Sequence, residues 1–271
     1  MNKKIKVLVL WGYGINCEQE TAYVFKKVGA EAHIVHHFQI FSGEISLRDY
    51  HILCFPGGFL DGDHLGSAQA CSHRFRYLKI QGKYLLWDEI LAFLGQGGLI
   101  LGICNGFQLL VKMGLLPGGE YLGKRKVTLT YNDSGRFEDR WVYLKVHPKT
   151  PCVFLQGLTE LYLPVRHGEG KFIPENQNLI QNMLDYGQIA LQYIHPDTKK
   201  PTLEYPYNPN GSIEAVAGLC DPTGRVFGLM PHPEAFNHFT NHPKWTRLKE
   251  RRADGLLIFE NAVSWVKDNI L

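Results

Sequence analysis

The sequence lacks the features that would place the chain in or on a membrane. None of its apolar runs approaches the ~20 residues that cross a bilayer, and its start shows no apolar stretch followed by a small-residue cleavage site. The formal net charge is only +3, which gives no electrostatic reason to expect nucleic acid or an anionic surface as a partner. We therefore expect a soluble, cytoplasmic protein.

Motifs for metals and nucleotides are also missing. The six cysteines form no CxxC pair, and the twelve histidines form no HExxH. Segment 118–125 fits GxxxxGK, but Arg125 stands where a phosphate-binding loop has Ser or Thr. The turn Gly12-Tyr13-Gly14 lacks the third glycine of a dinucleotide fingerprint. We expect no metal site and no cofactor site in this chain.

The first half of the chain alternates apolar runs with helical spacing. This alternation predicts an open, mainly parallel α/β sheet with helices on both faces. The predicted strands cover 5–11, 31–36, 51–55 and 99–103, and the predicted helices cover 17–28, 84–94 and 108–113.

The second half reads as strands joined by turns. They are predicted at 127–131, 140–146, 160–166, 188–194, 213–219 and 226–229, before a final helix at 254–267. We expect these strands to add an antiparallel part to the sheet. Because no linker or repeat interrupts the chain, we predict a single domain over residues 1–271.

The most informative segment, 102–107, reads Gly-Ile-Cys-Asn-Gly-Phe. It follows a predicted buried strand and precedes a short predicted helix, so Cys104 stands at a sharp strand-to-helix turn, the sulfur counterpart of a nucleophile elbow. Free N–H groups at the helix N-terminus favour a thiolate there. The other interpretation is an ordinary buried cysteine.

A base for this nucleophile is offered by segment 231–234, which reads Pro-His-Pro-Glu after a predicted strand. In extended chain, residues two apart point the same way, so His232 and Glu234 would lie side by side. The carboxylate would then hold the imidazole tautomer. Taken by itself, this segment is explained equally well as a polar turn between a strand and a loop. Beside the cysteine elbow it indicates a base and its orienting partner.

Backbone donors for an oxyanion are expected at Gly58, just after a predicted strand, and at Asn105, just after the nucleophile. A simple tight turn explains Gly57-Gly58 as well. In open α/β sheets, reactive groups gather at the carboxyl ends of strands. We therefore expect the site among the loops after residues 11, 55, 103 and 230.

Taken together, these motifs resemble the class I, triad-type glutamine amidotransferases, which have a flavodoxin-like fold. Within that family the chain is most similar to the glutaminase subunits of phosphoribosylformylglycinamidine synthase. The resemblance covers almost the whole chain, and the segments that carry it are 14–17, 56–59, 102–108, 132–137, 164–170, 207–212 and 228–234.

The resemblance implies a role for each site residue. Cys104 would attack the side-chain amide of L-glutamine and carry a thioester. His232 would take the thiol proton and give it to ammonia, and Glu234 would orient His232. Glutamine would be held by four residues of the helix and of a nearby loop: Gln108, His167, Gly168 and Glu169.

The resemblance also implies partners. Ammonia would pass to a large synthetase subunit, with a small accessory subunit, that makes formylglycinamidine ribonucleotide from formylglycinamide ribonucleotide in purine biosynthesis. ATP and Mg would bind in that partner, not in this chain. Segment 132–141 is a candidate docking or channel surface, or a plain hairpin. Segments 71–87 and 237–253 are longer than the family pattern and are either surface elaborations or partner contacts.

Other functions stay open on the sequence alone. A cysteine hydrolase of related fold that cuts peptides or small esters would need neither Gln108 nor a partner. A glutaminase that serves a different synthetase would share the same triad. A non-catalytic regulatory subunit would keep the fold, although such relatives typically lose the cysteine or the histidine, and here both are present.

Overall fold

The computed structural model describes residues 4–250 and 252–271. Its helices are α1 (Glu18–Lys27), α2 (His37–Phe41), α3 (Gln69–Tyr77), α4 (Leu86–Gly95), α5 (Asn105–Met113), α6 (Gln177–Asp185) and α7 (Asp254–Asn269). Its strands are β1 (Lys6–Trp11), β2 (Glu31–His36), β3 (Ile52–Phe55), β4 (Lys79–Ile80), β5 (Tyr84–Leu85), β6 (Leu99–Ile103), β7 (Val127–Thr130), β8 (Glu138–Val146), β9 (Glu160–His167), β10 (Lys171–Pro174), β11 (Ile189–Tyr193), β12 (Val216–Cys220) and β13 (Val226–Leu229).

One large sheet organises the fold, with the strand order β2-β1-β3-β6-β13-β12-β11-β8-β9. The pairs from β2 to β13 are all parallel, and the pairs from β13 to β9 are all antiparallel. The predicted mainly parallel α/β sheet with an antiparallel extension is confirmed. The single-domain assignment stays a prediction.

Both faces of the parallel part are covered. Every residue of β3, β6 and β13 is buried, which is the pattern of strands packed between two layers of helices. Helix α1 packs against α7, whereas α3 packs against α4 and α5. Within the described residues, no helix combines the length and apolar character that a bilayer crossing requires.

Local structure departs from the sequence prediction in several places. The expected helix at 84–94 begins at Leu86, because Tyr84–Leu85 instead pairs as a strand with Lys79–Ile80. Helices α2, α3 and α6 were not predicted.

The two segments that are longer than the family pattern contain local structure. Segment 71–87 contains most of α3 and this short hairpin, and segment 237–253 contains the 3-10 turns Phe239–Asn241 and Trp245–Arg247. Contact of either segment with a partner stays a prediction.

Candidate active site

Cys104 lies at the turn between β6 and α5, as the sequence predicts. Its backbone has φ +51° and ψ −103°, a conformation that L-residues rarely adopt. The side chain is 6% exposed, and its Sγ lies 3.6 Å from the carbonyl oxygen of Arg166. Strain of this kind persists only where the surrounding structure imposes it, and it is frequent at nucleophiles.

Two glycines allow the turn to be this tight. A Cβ on Gly106 would lie 1.9 Å from the carbonyl oxygen of Phe55, so α5 approaches β3 more closely than any side chain permits. A Cβ on Gly102 would lie 2.6 Å from Leu110 Cδ1 and 2.8 Å from the backbone of Gly106. The start of α5, and with it Cys104, is therefore fixed against two parallel strands.

Gly106→Ala should destabilise the fold and displace Cys104. Because the obstructing atom belongs to backbone, we expect the free energy of unfolding to fall by about 2–3 kcal/mol, the upper range for overpacking. Gly95→Ala is the matched control: its Cβ would meet nothing within 4 Å at the end of α4, so it should be neutral or stabilising by up to about 1 kcal/mol. Urea unfolding measures both, and equal stability of the two variants would contradict this packing.

His232 and Glu234 are joined directly. The Nδ1 of His232 donates to Glu234 Oε1 at 2.6 Å, and both side chains are buried. The predicted pairing therefore occurs, although not through a fully extended chain: the backbone turns into a 3-10 helix at Pro233–Ala235. Pro233 occupies the first position of that turn, and the φ fixed by its ring is already helical. The turn therefore begins immediately after His232.

The electrostatics favour a proton on His232. Burial opposes a charged imidazole, but the Glu234 carboxylate, and after it the neighbouring Cys104 sulfur, raise the pKa of His232 well above its ordinary value. Its Nε2 is buried and makes no hydrogen bond within residues 4–250 and 252–271. Since Nδ1 is committed to Glu234, Nε2 is the nitrogen that can exchange a proton with Cys104.

Gly58 lies next to this pair in a loop held by the first βα connection. Gly58 has φ +143° and forms an isolated antiparallel bridge with Ile15. Its N–H donates to no carbonyl in the described part of the chain. The N–H of Asn105 is the first of α5, a position that has no acceptor within a helix. Their joint role as oxyanion donors stays a prediction.

The residues expected to hold glutamine line one cavity with Cys104 and His232. This cavity has a volume of about 330 Å³, and its wall includes Gly58, Gln108, His167, Gly168 and Glu169. It opens among the loops that follow β1, β3, β6 and β13, which confirms the expected edge of the sheet. Other residues of the wall, which sequence reasoning did not assign to the site, are Asn16, Cys17, Glu20, Phe59, Asp63, Ser67, Phe137 and Arg166.

Several of these side chains brace the cavity wall itself. Gln108 Nε2 donates to the carbonyl oxygen of Glu169 at 2.5 Å, and its Oε1 accepts from Asn105 Nδ2 at 3.0 Å. The Glu169 carboxylate accepts from the backbone N–H of Ser67 at 3.1 and 3.2 Å. Direct contact of Gln108 and Glu169 with glutamine stays a prediction, because both side chains already connect α5 to two loops.

His167 is a neutral imidazole in this wall. Burial, and then the charge on His232, lower the pKa of His167 to about 3. Its Nδ1 pairs with Asn132 Oδ1 at 3.1 Å, while its Nε2 is buried without a partner in the described residues. Asn132 also donates to the His167 carbonyl oxygen at 2.7 Å. Asn132 therefore fixes the loop 167–169, a role suggested beforehand only by its place in segment 132–137.

One group of potential metal ligands occurs in the part of the chain that the structure describes. Cys17, His232 and Glu234 place one ligand atom each within 4.8 Å of one another. However, His232 Nδ1 and Glu234 Oε1 are only 2.6 Å apart, closer than the roughly 3 Å or more that separates ligands around a tetrahedral zinc with bonds of about 2 Å. A shared proton fits this gap better than a metal.

Comparisons with known proteins agree with this geometry. A profile of the CobB/CobQ-like glutamine amidotransferase domain matches residues 4–266. The phosphoribosylformylglycinamidine synthase subunit PurQ of Dehalococcoides mccartyi is 45% identical over 268 residues, covering 97% of this chain and 98% of the relative. The subunit PurQ of Methanococcus maripaludis is 41% identical over 273 residues, covering 96% and 97%. The PurLQS structure from Thermotoga maritima matches with a TM-score of 0.69 and 27% identity, covering 97% of this chain and 100% of that chain.

Proposed function

This chain belongs to the glutamine amidotransferases and, within them, to the PurQ subunits of phosphoribosylformylglycinamidine synthase, and from that premise we propose that it hydrolyses L-glutamine and delivers the ammonia to a synthetase subunit. The observation that carries the proposal is that Cys104 and His232 line one cavity, with the buried Glu234 bonded to His232 behind them. The ammonia would be used to make formylglycinamidine ribonucleotide from formylglycinamide ribonucleotide and ATP.

The first half of the reaction forms a thioester. The Cys104 sulfur attacks the side-chain carbonyl carbon of glutamine, and its proton is held on His232 Nε2. The N–H groups of Gly58 and Asn105 stabilise the negative charge on the carbonyl oxygen. The C–N bond then breaks, and the proton from His232 leaves with the nitrogen as ammonia. Glu234 keeps Nδ1 protonated throughout, so that Nε2 always faces the sulfur.

The second half releases glutamate. A water molecule gives a proton to His232 Nε2 and attacks the thioester carbon. The carbon–sulfur bond breaks, glutamate leaves, and the sulfur of Cys104 is restored beside a protonated His232. The neutral His167 at the same wall adds no second positive charge next to this imidazole. Loop 167–169 and Gln108 would then select glutamine through its amino and carboxylate groups.

A partner follows from the chemistry of ammonia and from the exposed rim of the cavity. Ammonia released into water at neutral pH is protonated and is no longer a nucleophile, so it must pass to the partner through a channel shielded from water. Two large apolar side chains of the cavity wall, Phe59 and Phe137, are 42% and 54% exposed. Phe137 lies in segment 132–141, the proposed docking surface. ATP and Mg would bind in the synthetase subunit, with a small accessory subunit completing the complex.

The decisive experiment supplies the purified synthetase subunit with ATP and formylglycinamide ribonucleotide. With ammonium salt as the nitrogen source, product should form without this chain. With glutamine as the source, product should form only after this chain is added. If the chain instead hydrolyses peptides or small esters and glutamine supports no synthesis, the alternative of a cysteine hydrolase replaces this proposal.

The isolated chain should hydrolyse glutamine slowly. Most of the cavity wall is formed by loops, and closure of such sites often awaits a partner. We expect the glutaminase rate to rise at least about 10-fold when the synthetase subunit and its substrates are present. Glutamate release measured with and without that subunit tests this, and equal rates would contradict it.

A further inference from the structure

Cys17 is a second buried thiol beside the triad, and the reaction described above does not use it. It directly precedes α1, is 6% exposed and lines the cavity. Its Sγ lies 3.9 Å from His232 Nδ1, on the same nitrogen that bonds to Glu234, although 215 positions separate the two residues in the sequence. The thiol donates to Asn16 Oδ1 at 3.2 Å, so a sulfur lone pair remains available to His232.

The backbone around Cys17 holds the loop that carries the expected oxyanion donor. The N–H groups of Asn16 and Cys17 both donate to the carbonyl oxygen of Gly57, at 3.4 and 3.3 Å. On the other side of Gly58, the N–H of Phe59 donates to the Gly14 carbonyl oxygen at 2.7 Å. Segment 14–17 therefore fixes Gly58 from both sides.

The imidazole of His232 fits against both parts of this arrangement. A Cβ on Gly57 would lie 2.6 Å from His232 Cε1 and 3.2 Å from Cys17 Sγ. The ring edge is thus in contact with bare backbone at Gly57, and the sulfur of Cys17 closes the space beside it. A change in the orientation of the imidazole ring would therefore move Nδ1 either against the Cys17 sulfur or away from it.

We propose that Cys17 is a positioning residue that fixes the His232 imidazole and connects it to the Gly57–Gly58 loop. The inference rests on the proposed function, because it assigns a task within that reaction. Cys17 is not a second nucleophile: burial, the largest influence on it, raises the pKa of its thiol and keeps it neutral. The charged and titratable groups around His232 are Glu234, Cys104, Cys17 and His167.

The test compares Cys17→Ala with Cys152→Ala. The Cys152 thiol is also buried, but it lies against Cys220 instead of the site. Glutaminase activity of the chain with its synthetase subunit is measured across pH. Cys17→Ala should lower kcat about 10-fold with little change in KM, because a small displacement of the base slows the chemical step. Without the sulfur contact, the protonated ring is less stabilised and the pKa of His232 falls. The basic limb of the pH profile of kcat/KM should therefore move about half a pH unit lower. Cys152→Ala should change neither.

Cys17→Ser keeps a hydrogen-bonding atom on this side of the ring and should show a smaller shift than Cys17→Ala. It also provides a result if the alanine variant does not fold. The proposal is overturned if the basic limb of the pH profile in both Cys17 variants equals that of the unchanged chain, or if Cys152→Ala shows the same shift. It is also overturned if the shift disappears when a chelator is added, because Cys17 would then act as a metal ligand together with His232 and Glu234. Absence of glutaminase activity in the unchanged complex would instead refute the proposed function.

Discussion

Replacing Cys104 by alanine should abolish glutamine-dependent synthesis and leave ammonia-dependent synthesis by the complex unchanged. Loss of a nucleophile that acts as one unit with its base costs on the order of 10⁴-fold or more in kcat. No other thiol of the described chain can substitute, since Cys17 lies on the far nitrogen of His232. Glutamate release and product formation, measured with each nitrogen source, give the two rates.

A second substitution at this position separates chemistry from folding. Cys104→Gly removes the same sulfur, so it should be as inactive as Cys104→Ala. Because glycine adopts a φ of +51° without strain, the glycine variant should be more stable than the alanine variant by about 1 kcal/mol, the low end for backbone strain of this kind. Cys152→Ala, remote from the site, should keep full activity. Glutamine-dependent product from either Cys104 variant would refute the thioester pathway.

The residues proposed as nucleophile and base, Cys104 and His232, were predictable from sequence because their signals are local. The elbow is a strand, a turn and a helix within a few residues, and His232 and Glu234 are two positions apart. Their meeting was expected only from the rule that reactive groups gather at the carboxyl ends of strands. That β13 pairs in parallel with β6 was not foreseen, because strand 226–229 was expected in the antiparallel part of the sheet. The backbone turn at Pro233 was missed, because spacing alone does not distinguish extended chain from a 3-10 turn that brings the same side chains together.

The contributions of Cys17 and Asn132 could not be derived in this way. Each acts through a contact between distant parts of the chain, such as the 215 positions between Cys17 and His232. No periodicity or motif encodes such a distance. Only the fold, which places the loop after β1 beside the loop after β13, makes the contact visible.

The missed helices also have physical reasons. Helix α3 follows Ala68, which has a positive φ and provides no side-chain cap, and most of its residues are polar, so neither a start signal nor an apolar stripe was evident. It is stabilised instead by packing against α4 and α5. In contrast, α6 did carry a signal: Asn176 caps the Leu179 N–H at 2.9 Å, and Leu179, Ile180 and Met183 are buried at helical spacing.

His232→Asn should be the second most damaging change. Asparagine keeps a donor near Glu234 but removes Nε2, so Cys104 loses the group that takes and returns its proton. General acid–base catalysis of this kind contributes about 10²–10⁴-fold. His167 cannot serve as a replacement base, since its pKa is about 3. We expect kcat to fall by roughly 10³-fold, with glutamine binding little changed.

The same substitution should make stability respond differently to pH. Because the pKa of His232 is higher in the folded chain than the ~6.5 of an unfolded histidine, the proton it binds contributes stability that is fully present below about pH 6.5 and is lost as pH rises through the folded value. His232→Asn should therefore be more destabilising at pH 6 than at pH 9, as measured by urea unfolding. A His232→Asn penalty that grows with pH would mean that Glu234 does not hold a protonated imidazole.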